Sequence, residues 1–173
     1  ILKNGGAVTC DADAIVHAMY ETDHSLRDTL RERWGQAVFS EQGQIDRNRI
    51  AEKIFTNENE RNWLNALVHP KVWRHIRQLE ETSRPATVFC AIPLLFEVGW
   101  ESRFGLTVAV WCPAQEQVRR LRSRNWPEER LRSTLNRQLS ADEKLHRADV
   151  GLINHGAPEL LRAQIKYLPG APT

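Results

Sequence analysis

Four short, uninterrupted apolar runs limit the folds that this chain can adopt. They are Ala7–Cys10, Thr87–Ile92, Leu106–Cys112 and a weaker run, Val150–Ile153. Strands with one face in water alternate polar and apolar residues, whereas strands buried on both faces are continuously apolar. Helical patterns lie between the runs, and strands separated by helices pair in parallel. The sequence therefore predicts an α/β fold in which helices cover both faces of a parallel sheet.

The stretch between the first two runs is the longest, and it is helical in pattern. It predicts helices over Ser25–Trp34 and Arg47–Phe55, another after the capping-box spacing of Asn57–Glu60, and a last one over Lys71–Glu81 that Pro70 opens. An insert of this length predicts a helical subdomain beside the sheet. Later helices are predicted over Ala114–Arg124, from Pro127 to about Gln138, from the Ser140 capping box to about Arg147, and over Ala157–Leu168.

Composition excludes several classes of protein. The chain has 173 residues, 41% of them hydrophobic, and a net charge of +2, which demands no nucleic-acid partner. No apolar run reaches the length of a membrane span. The three cysteines, Cys10, Cys90 and Cys112, lack metal-binding spacing and predict reduced, packed thiols in a cytoplasmic protein. Ile1–Gly6 is typical of a last helical turn closed by glycine, which predicts that further residues precede it.

The pair Asp11-Ala12-Asp13 stands where the first strand ends and a helix begins. Ligands bind at the carboxyl ends of the strands in open α/β sheets, and a carboxylate there can take a proton from a substrate hydroxyl. The alternative is that Asp11 or Asp13 caps the helix that follows.

A second candidate is Pro93-Leu94-Leu95-Phe96-Glu97, directly after the second strand. Proline ends the strand, and Leu94, Leu95 and Phe96 then form either a loop folded onto the core or an apolar wall for a substrate, with Glu97 as its polar handle. His69, before Pro70, is either structural or a ligand contact.

A third candidate is the arginine-rich stretch 119–137, which holds seven arginines and two glutamates. Arg120 and Arg124 are four residues apart on one helix face, and Arg137 lies on the next helix. These three could clamp phosphates, because guanidinium groups bind phosphate bidentately. The remaining four, Arg119, Arg122, Arg130 and Arg132, are interpreted as a solvated face.

Together, in this order along nearly the whole chain, these segments resemble dephospho-coenzyme A kinases. The family's motifs are similar to Asp11–Asp13, Trp63–Pro70, Pro93–Glu97 and Gln117–Asn125, to Gln138, Glu143, Lys144, Ala148 and Asp149, and in part to Ile153-Asn154. The resemblance implies a three-layer parallel sheet of the P-loop nucleotide kinase type in a single domain. Its core would comprise residues 7–24, 84–118 and 148–173, with a helical substrate-binding insert at about 25–83 and a helical lid with its following helix at about 119–147.

The reaction implied by the resemblance is transfer of the γ-phosphoryl group of ATP, with Mg²⁺, to the 3′-hydroxyl of dephospho-CoA, the last step of coenzyme A synthesis. Asp13 would be the catalytic base and Arg120 the group that stabilises charge on the phosphoryl group. No residue is assigned as a metal ligand. The remaining site residues implied are Arg124, Arg137 and Asn154 for ATP, and Asp11, His69, Pro93, Leu94, Leu95, Phe96 and Glu97 for dephospho-CoA. The protein would be a monomer or weak homo-oligomer in the cytoplasm, without nucleic-acid or membrane partners.

The chain departs from the family pattern at two places. Family members begin with a strand, a glycine-rich P-loop and a helix, and no Gly-x-x-x-x-Gly-Lys-Ser/Thr occurs in this sequence. If the chain is the whole polypeptide, we expect little kinase activity and poor stability; if it has been trimmed, we expect the full protein to be active. Ala91 stands where many members have an acidic residue.

Three alternatives remain open on the sequence. The chain could be another small-molecule kinase of the same fold, against which the Pro93–Glu97 loop and His69-Pro70 argue. It could be a non-catalytic remnant that binds CoA or a nucleotide. A nucleic-acid-binding module would need a basic stripe with stacking aromatics, and only Trp126 is placed for that.

Overall fold

The computed structural model describes residues 1–55 and 57–172, with the side chain of Arg130 excepted. Its contacts divide the chain into two compact units. The helical unit is Val8–Ile92, and the C-terminal unit comprises Ile1–Ala7 together with the chain from Pro93 onward. None of the described helices is long and apolar enough to cross a membrane.

The helical unit is built on two parallel strands. Strand β1 (Val8–Asp11) pairs with β2 (Val88–Ala91) in a register that sets Asp11 opposite Ala91. One step inside that end, the thiols of Cys10 and Cys90 share a hydrogen bond, with 2.7 Å between the two Sγ atoms. Four helices connect the strands: α1 (Ala12–Thr22), α2 (His24–Trp34), α3 (Arg47–Phe55) and α4 (Glu58–Ser83). The predicted strands and the helical insert are confirmed.

Helix α2 shows how the pattern of the insert becomes a core. Its residues Leu26, Leu30 and Trp34 recur every four positions, and all three are buried. The Asp23 side chain begins the helix by accepting a hydrogen bond from the Leu26 amide at 2.9 Å. Lys71 of α4 donates to the other Asp23 oxygen at 2.7 Å, so the cap also ties two helices together.

The predicted helix boundary at Pro70 is wrong. Helix α4 runs without interruption through the proline, and His69 therefore lies inside a helix of 26 residues. A proline inside a helix costs about 3 kcal/mol. The buried stripe of α4 continues across it, from Leu64 and Val68 to Val72 and Ile76. Burial of each such side chain contributes about 1.5–3 kcal/mol, which offsets the cost of the proline.

An aromatic and charged cluster fastens α2 to the start of α4. The Trp34 Nε1–H donates to Glu60 Oε2 at 2.6 Å, and Arg33 donates to both oxygens of the same carboxylate. The Trp34 and Trp63 rings meet edge to face with centroids 5.1 Å apart. The predicted capping residue Asn57 accepts the Glu60 amide at 3.2 Å, so Glu60 serves its own helix and the neighbouring one.

The C-terminal unit repeats the parallel pairing. Strand β3 (Val108–Trp111) pairs with β4 (Val150–Ile153), and four helices accompany them: α5 (Ala114–Ser123), α6 (Glu128–Asn136), α7 (Ala141–Arg147) and α8 (Pro158–Ile165). Ser140 caps α7 as predicted, accepting the Glu143 amide at 3.1 Å. The turn before β1 also follows expectation, since a short 3₁₀ turn, Lys3–Gly5, ends at Gly6 with φ of 91°.

Side chains close the ends of this second strand pair. At the start of the strands, one oxygen of Asp149 accepts both the amide and the hydroxyl of Thr107 at 2.7 Å. The hydrogen bond from the Thr107 hydroxyl, and to a lesser extent that from the Thr107 amide, holds the pKa of Asp149 below its usual range. The backbone hydrogen bonds between the two strands and the Asp149 carboxylate together fix where β3 and β4 begin.

At the other end, Gln164 of α8 takes the place of a further strand. The Val150 amide donates to the Thr107 carbonyl and the Asn154 amide donates to the Trp111 carbonyl. Because backbone groups alternate in direction along a strand, those of Ile153 point away from β3. There the Gln164 Oε1 accepts the Ile153 amide at 2.8 Å, and the Gln164 Nε2 donates to the Ile153 carbonyl at 3.0 Å. One side-chain amide thus satisfies both backbone groups of an edge residue.

We expect Gln164→Ala to lower the free energy of unfolding by about 1 kcal/mol, because two backbone groups of β4 lose their partner. Urea unfolding measures this change through the midpoint at constant slope. Gln78→Ala is the matched control, since Gln78 is an exposed helical glutamine whose side chain has no hydrogen bond among the described residues. Equal losses in the two variants would contradict the assigned role of Gln164.

Candidate active site

The two carboxylates of the Asp11-Ala12-Asp13 segment have different roles. Asp11 ends β1 and caps α1, where its Oδ1 accepts the amides of Asp13 at 2.9 Å and Ala14 at 3.3 Å. The capping role considered for this motif therefore belongs to Asp11. Asp13 lies in the first turn of α1 with its side chain exposed. Asp13 is the carboxylate of the pair that remains available for chemistry.

The surroundings of Asp13 favour its protonated form. Partial loss of hydration, and then the negative charge of Asp11, raise the pKa of Asp13 above its ordinary value. The positive charge of Arg47 opposes this rise. A carboxyl group with a raised pKa holds a proton more tightly once it has taken one, which suits a general base.

Arg47 carries no motif that would single it out in the sequence. It is the first residue of α3, where the helix dipole disfavours a positive charge, and its side chain is exposed. It acts electrostatically on Asp13 and also on Tyr20, whose pKa burial raises to about 12 against the effect of Arg47. Asp13 and Tyr20 are seven residues apart on α1, so they share one helix face. The signal in the sequence is the unfavourable position of Arg47 in its helix.

The Pro93–Glu97 segment meets two later motif residues in the C-terminal unit. Lys144 donates to the Pro93 carbonyl at 2.9 Å, to Gln138 Oε1 at 3.2 Å and pairs with Glu97 Oε1 at 3.0 Å. The same Glu97 oxygen accepts the Leu139 amide at 2.8 Å. The side chain of Glu97 is only 13% exposed. Its carboxylate therefore points into the protein, whereas Leu94 is 40% exposed and Phe96 is buried.

The arginines of the C-terminal unit occupy distinct environments. Arg120 is 30% exposed and donates its Nε–H to Glu116 Oε1 at 2.7 Å, while Arg119 is 71% exposed and donates twice to the same carboxylate. The hydrogen bonds from Arg119 and then Arg120 lower the pKa of Glu116 to about 2. Arg124 and Arg137 lie at the C-caps of α5 and α6, where a cation also complements the helix dipole.

The carboxyl end of β3 borders a cavity. Asn154 follows β4 directly, and its amide donates to the Trp111 carbonyl at 2.7 Å. A cavity of about 550 Å³ opens next to Trp111, between the start of α5 and the connection from α6 to α7. This is the end of a parallel strand pair, at which α/β proteins bind ligands. His69, the remaining predicted site residue, is half-buried within α4 of the helical unit.

The described residues fit a metal ion that arrives with a nucleotide. Mg²⁺ uses one or two protein carboxylates and completes its shell with phosphate oxygens and water. Within residues 1–55 and 57–172, no group of three or more His, Cys, Asp or Glu side chains could hold a metal ion by itself. Phosphate oxygens of a bound nucleotide and water would then supply most of the ligands of such an ion.

Comparison with known proteins relates this arrangement to one family. The family model for dephospho-CoA kinase matches residues 1–159. The dephospho-CoA kinase of Symbiobacterium thermophilum is 34% identical over 172 residues, which cover 96% of this chain and 71% of that protein. The dephospho-CoA kinase of Bacillus licheniformis is 35% identical over 167 residues, covering 94% of this chain and 83% of that protein.

Two solved structures share the fold of this chain. The crystal structure of TT1252 from Thermus thermophilus superposes with a TM-score of 0.81 at 32% identity, covering 95% of this chain and 84% of that one. The dephospho-CoA kinase from Campylobacter jejuni shares the fold, with a TM-score of 0.65 at 23% identity and 94% and 83% of the two chains covered. The predicted α/β class with parallel strands is confirmed. On the extent of the family match and the identity of these relatives, the chain belongs to the dephospho-CoA kinase family of ATP-dependent kinases.

Proposed function

We propose that this protein transfers the γ-phosphoryl group of ATP to the 3′-hydroxyl of the ribose of dephospho-CoA. The observation that carries the proposal is the position of Asp13, an exposed carboxylate one turn beyond the end of a parallel strand, with its pKa raised and its neighbour Asp11 committed to capping. Membership of the dephospho-CoA kinase family supplies the substrates.

In this proposal Asp13 acts on the acceptor. Its carboxylate takes the proton of the 3′-hydroxyl as that oxygen forms a bond to the γ-phosphorus, and the bond from phosphorus to ADP breaks. Arg47 lies close enough to influence the charge of Asp13, so it limits how far the pKa of the base rises. The helical unit thus supplies the base and a cation that tunes it.

The phosphoryl group requires positive charge, because its transition state spreads negative charge over three oxygens. Arg120 is assigned to this role, and Arg124 and Arg137 to the phosphates of ATP. When bound, Mg²⁺ neutralises charge between the β- and γ-phosphates. Asn154 is assigned to the nucleotide base on the strength of its place directly after β4.

For dephospho-CoA, we assign Leu94, Leu95 and Phe96 to an apolar wall, with Pro93 fixing the start of the loop and His69 contributing from α4. Glu97 contributes by holding the loop from within, since its carboxylate is turned inward. We further propose a cytoplasmic protein that acts as a monomer or weak homo-oligomer, without nucleic-acid or membrane partners.

We expect Asp13→Asn to lower kcat for phosphorylation of dephospho-CoA by about 10²-fold or more, because the amide cannot accept the proton. The measurement is release of ADP by the natural full-length polypeptide with ATP, Mg²⁺ and dephospho-CoA. Asp11→Asn is the matched variant, since asparagine also caps helices and keeps α1 intact. Turnover of Asp13→Asn close to that of the parent would remove Asp13 as the base.

We expect Arg120→Ala to lower kcat more than it raises the KM for dephospho-CoA, because Arg120 is assigned to charge that develops in the transition state. Arg119→Ala removes a second partner of the same Glu116 carboxylate and should leave kcat within about twofold. An effect of Arg120→Ala on KM alone would place this side chain in ground-state binding.

The pH profile tests the link between Arg47 and the base. The activity of a carboxylate base is lost as pH falls through its pKa, and Arg47 lowers the pKa of Asp13. Arg47→Met should therefore move the acidic limb of the kcat profile to higher pH, whereas Arg47→Lys should leave it near the original position. A limb that does not move in Arg47→Met would show that Arg47 does not act on the base.

A further inference from the structure

Two side chains of helix α7 contact the segment 93–101, the turn that follows β2. Lys144 and Arg147 lie three residues apart, so they share a face of the helix. Lys144 contacts Pro93 and Glu97 of the turn. Arg147 contacts Phe96 and Glu101, with its guanidinium 5.1 Å from the centre of the Phe96 ring and a salt bridge to Glu101.

Lys144 is held by three groups within this unit. Its ammonium group donates hydrogen bonds to Pro93 O and Gln138 Oε1, and it forms an ion pair with Glu97 Oε1. Its side chain is 20% exposed and that of Glu97 13% exposed, so the pair is screened little by water. A largely buried ion pair supported by two hydrogen bonds differs from an exposed ion pair, which contributes little to structure.

The turn itself is ordered by its own backbone between these two contacts. The Val98 amide donates to the Leu94 carbonyl and the Trp100 amide donates to the Leu95 carbonyl, each at 3.0 Å. Trp100 is buried at its end. The turn therefore has its own internal hydrogen bonds in addition to the contacts that α7 makes with it.

We propose that Lys144 and Arg147 are positioning residues that set the place of the Leu94–Phe96 wall and thereby the affinity for dephospho-CoA. This inference rests on the proposed function, which assigns that wall to the acceptor substrate. Neither side chain need touch the substrate, because both act through the turn that they hold. Glu97 is then the internal anchor of the turn, tied to Lys144 and to the Leu139 amide.

The first test compares steady-state constants of the full-length protein. Lys144→Met and Arg147→Met should each raise the KM for dephospho-CoA by about tenfold, with kcat and the KM for ATP changed by less than about twofold. Lys166→Met and Arg162→Met are the matched controls, as exposed cations of the same unit. A KM for dephospho-CoA that stays at the control value in both variants would overturn the inference.

A paired variant separates positioning from fold stability. Lys144→Met alone leaves the Glu97 carboxylate buried without its cation, which is strongly destabilising, whereas Lys144→Met with Glu97→Met removes both charges. The double variant should recover most of the loss in Tm and yet keep the raised KM for dephospho-CoA. If KM returns to the parent value together with Tm, Lys144 only stabilises the fold and the inference is wrong.

Hydrogen exchange gives a readout that does not require activity. In the double variant, amides of residues 94–101 should exchange faster than in the parent, while those of β4 should be unchanged. If the parent protein fails to phosphorylate dephospho-CoA, the proposed function fails, and exchange alone decides whether α7 holds the turn. Unchanged exchange at residues 94–101 would overturn the positioning role even in an active enzyme.

Discussion

The parallel register of paired strands is the constraint on which the candidate site residues of each unit depend. Because β1 and β2 are parallel and in register, the chain leaves both strands at the same end, and Asp11 stands opposite Ala91 there. The cap that Asp11 makes then fixes the direction of α1 and with it the position of Asp13. In the C-terminal unit the same arrangement sets Trp111 beside Ile153 and Asn154. Each unit therefore collects its polar groups at one end of a strand pair.

The elements that sequence patterns predicted well are those decided by local chemistry. Continuous apolar runs mark the four strands, because burial on both faces leaves no room for alternation. Caps such as Asn57 before α4 and Ser140 before α7 follow from the need of the first helical amides for an acceptor. The Asp11–Asp13 and Pro93–Glu97 motifs also lie directly at or after the ends of strands, whereas Trp63–Pro70 lies within α4. Local rules and the tertiary structure agree at these positions.

The features that the sequence did not reveal depend on contacts distant along the chain. By local rules Pro70 opens a new helix, yet with Val72 and Ile76 buried beyond it α4 runs through the proline without interruption. The inward direction of Glu97 depends on Lys144, 47 residues later, so no local pattern could indicate it. The influence of Arg47 on Asp13 arises only when α3 is placed relative to α1. Whether a charged side chain points toward a ligand or into the protein depends on partners that are distant along the chain.

The side chain of Gln164 has a consequence for how the protein behaves at high concentration. An unpaired strand edge is a template on which another chain can add a strand, and this leads to aggregation. At Ile153 that template is already taken by an amide group of the protein itself, although the Ile153 side chain is 50% exposed. This edge of β4 is thus blocked at Ile153 by one residue of α8. A single glutamine therefore opposes self-association through this edge of the sheet.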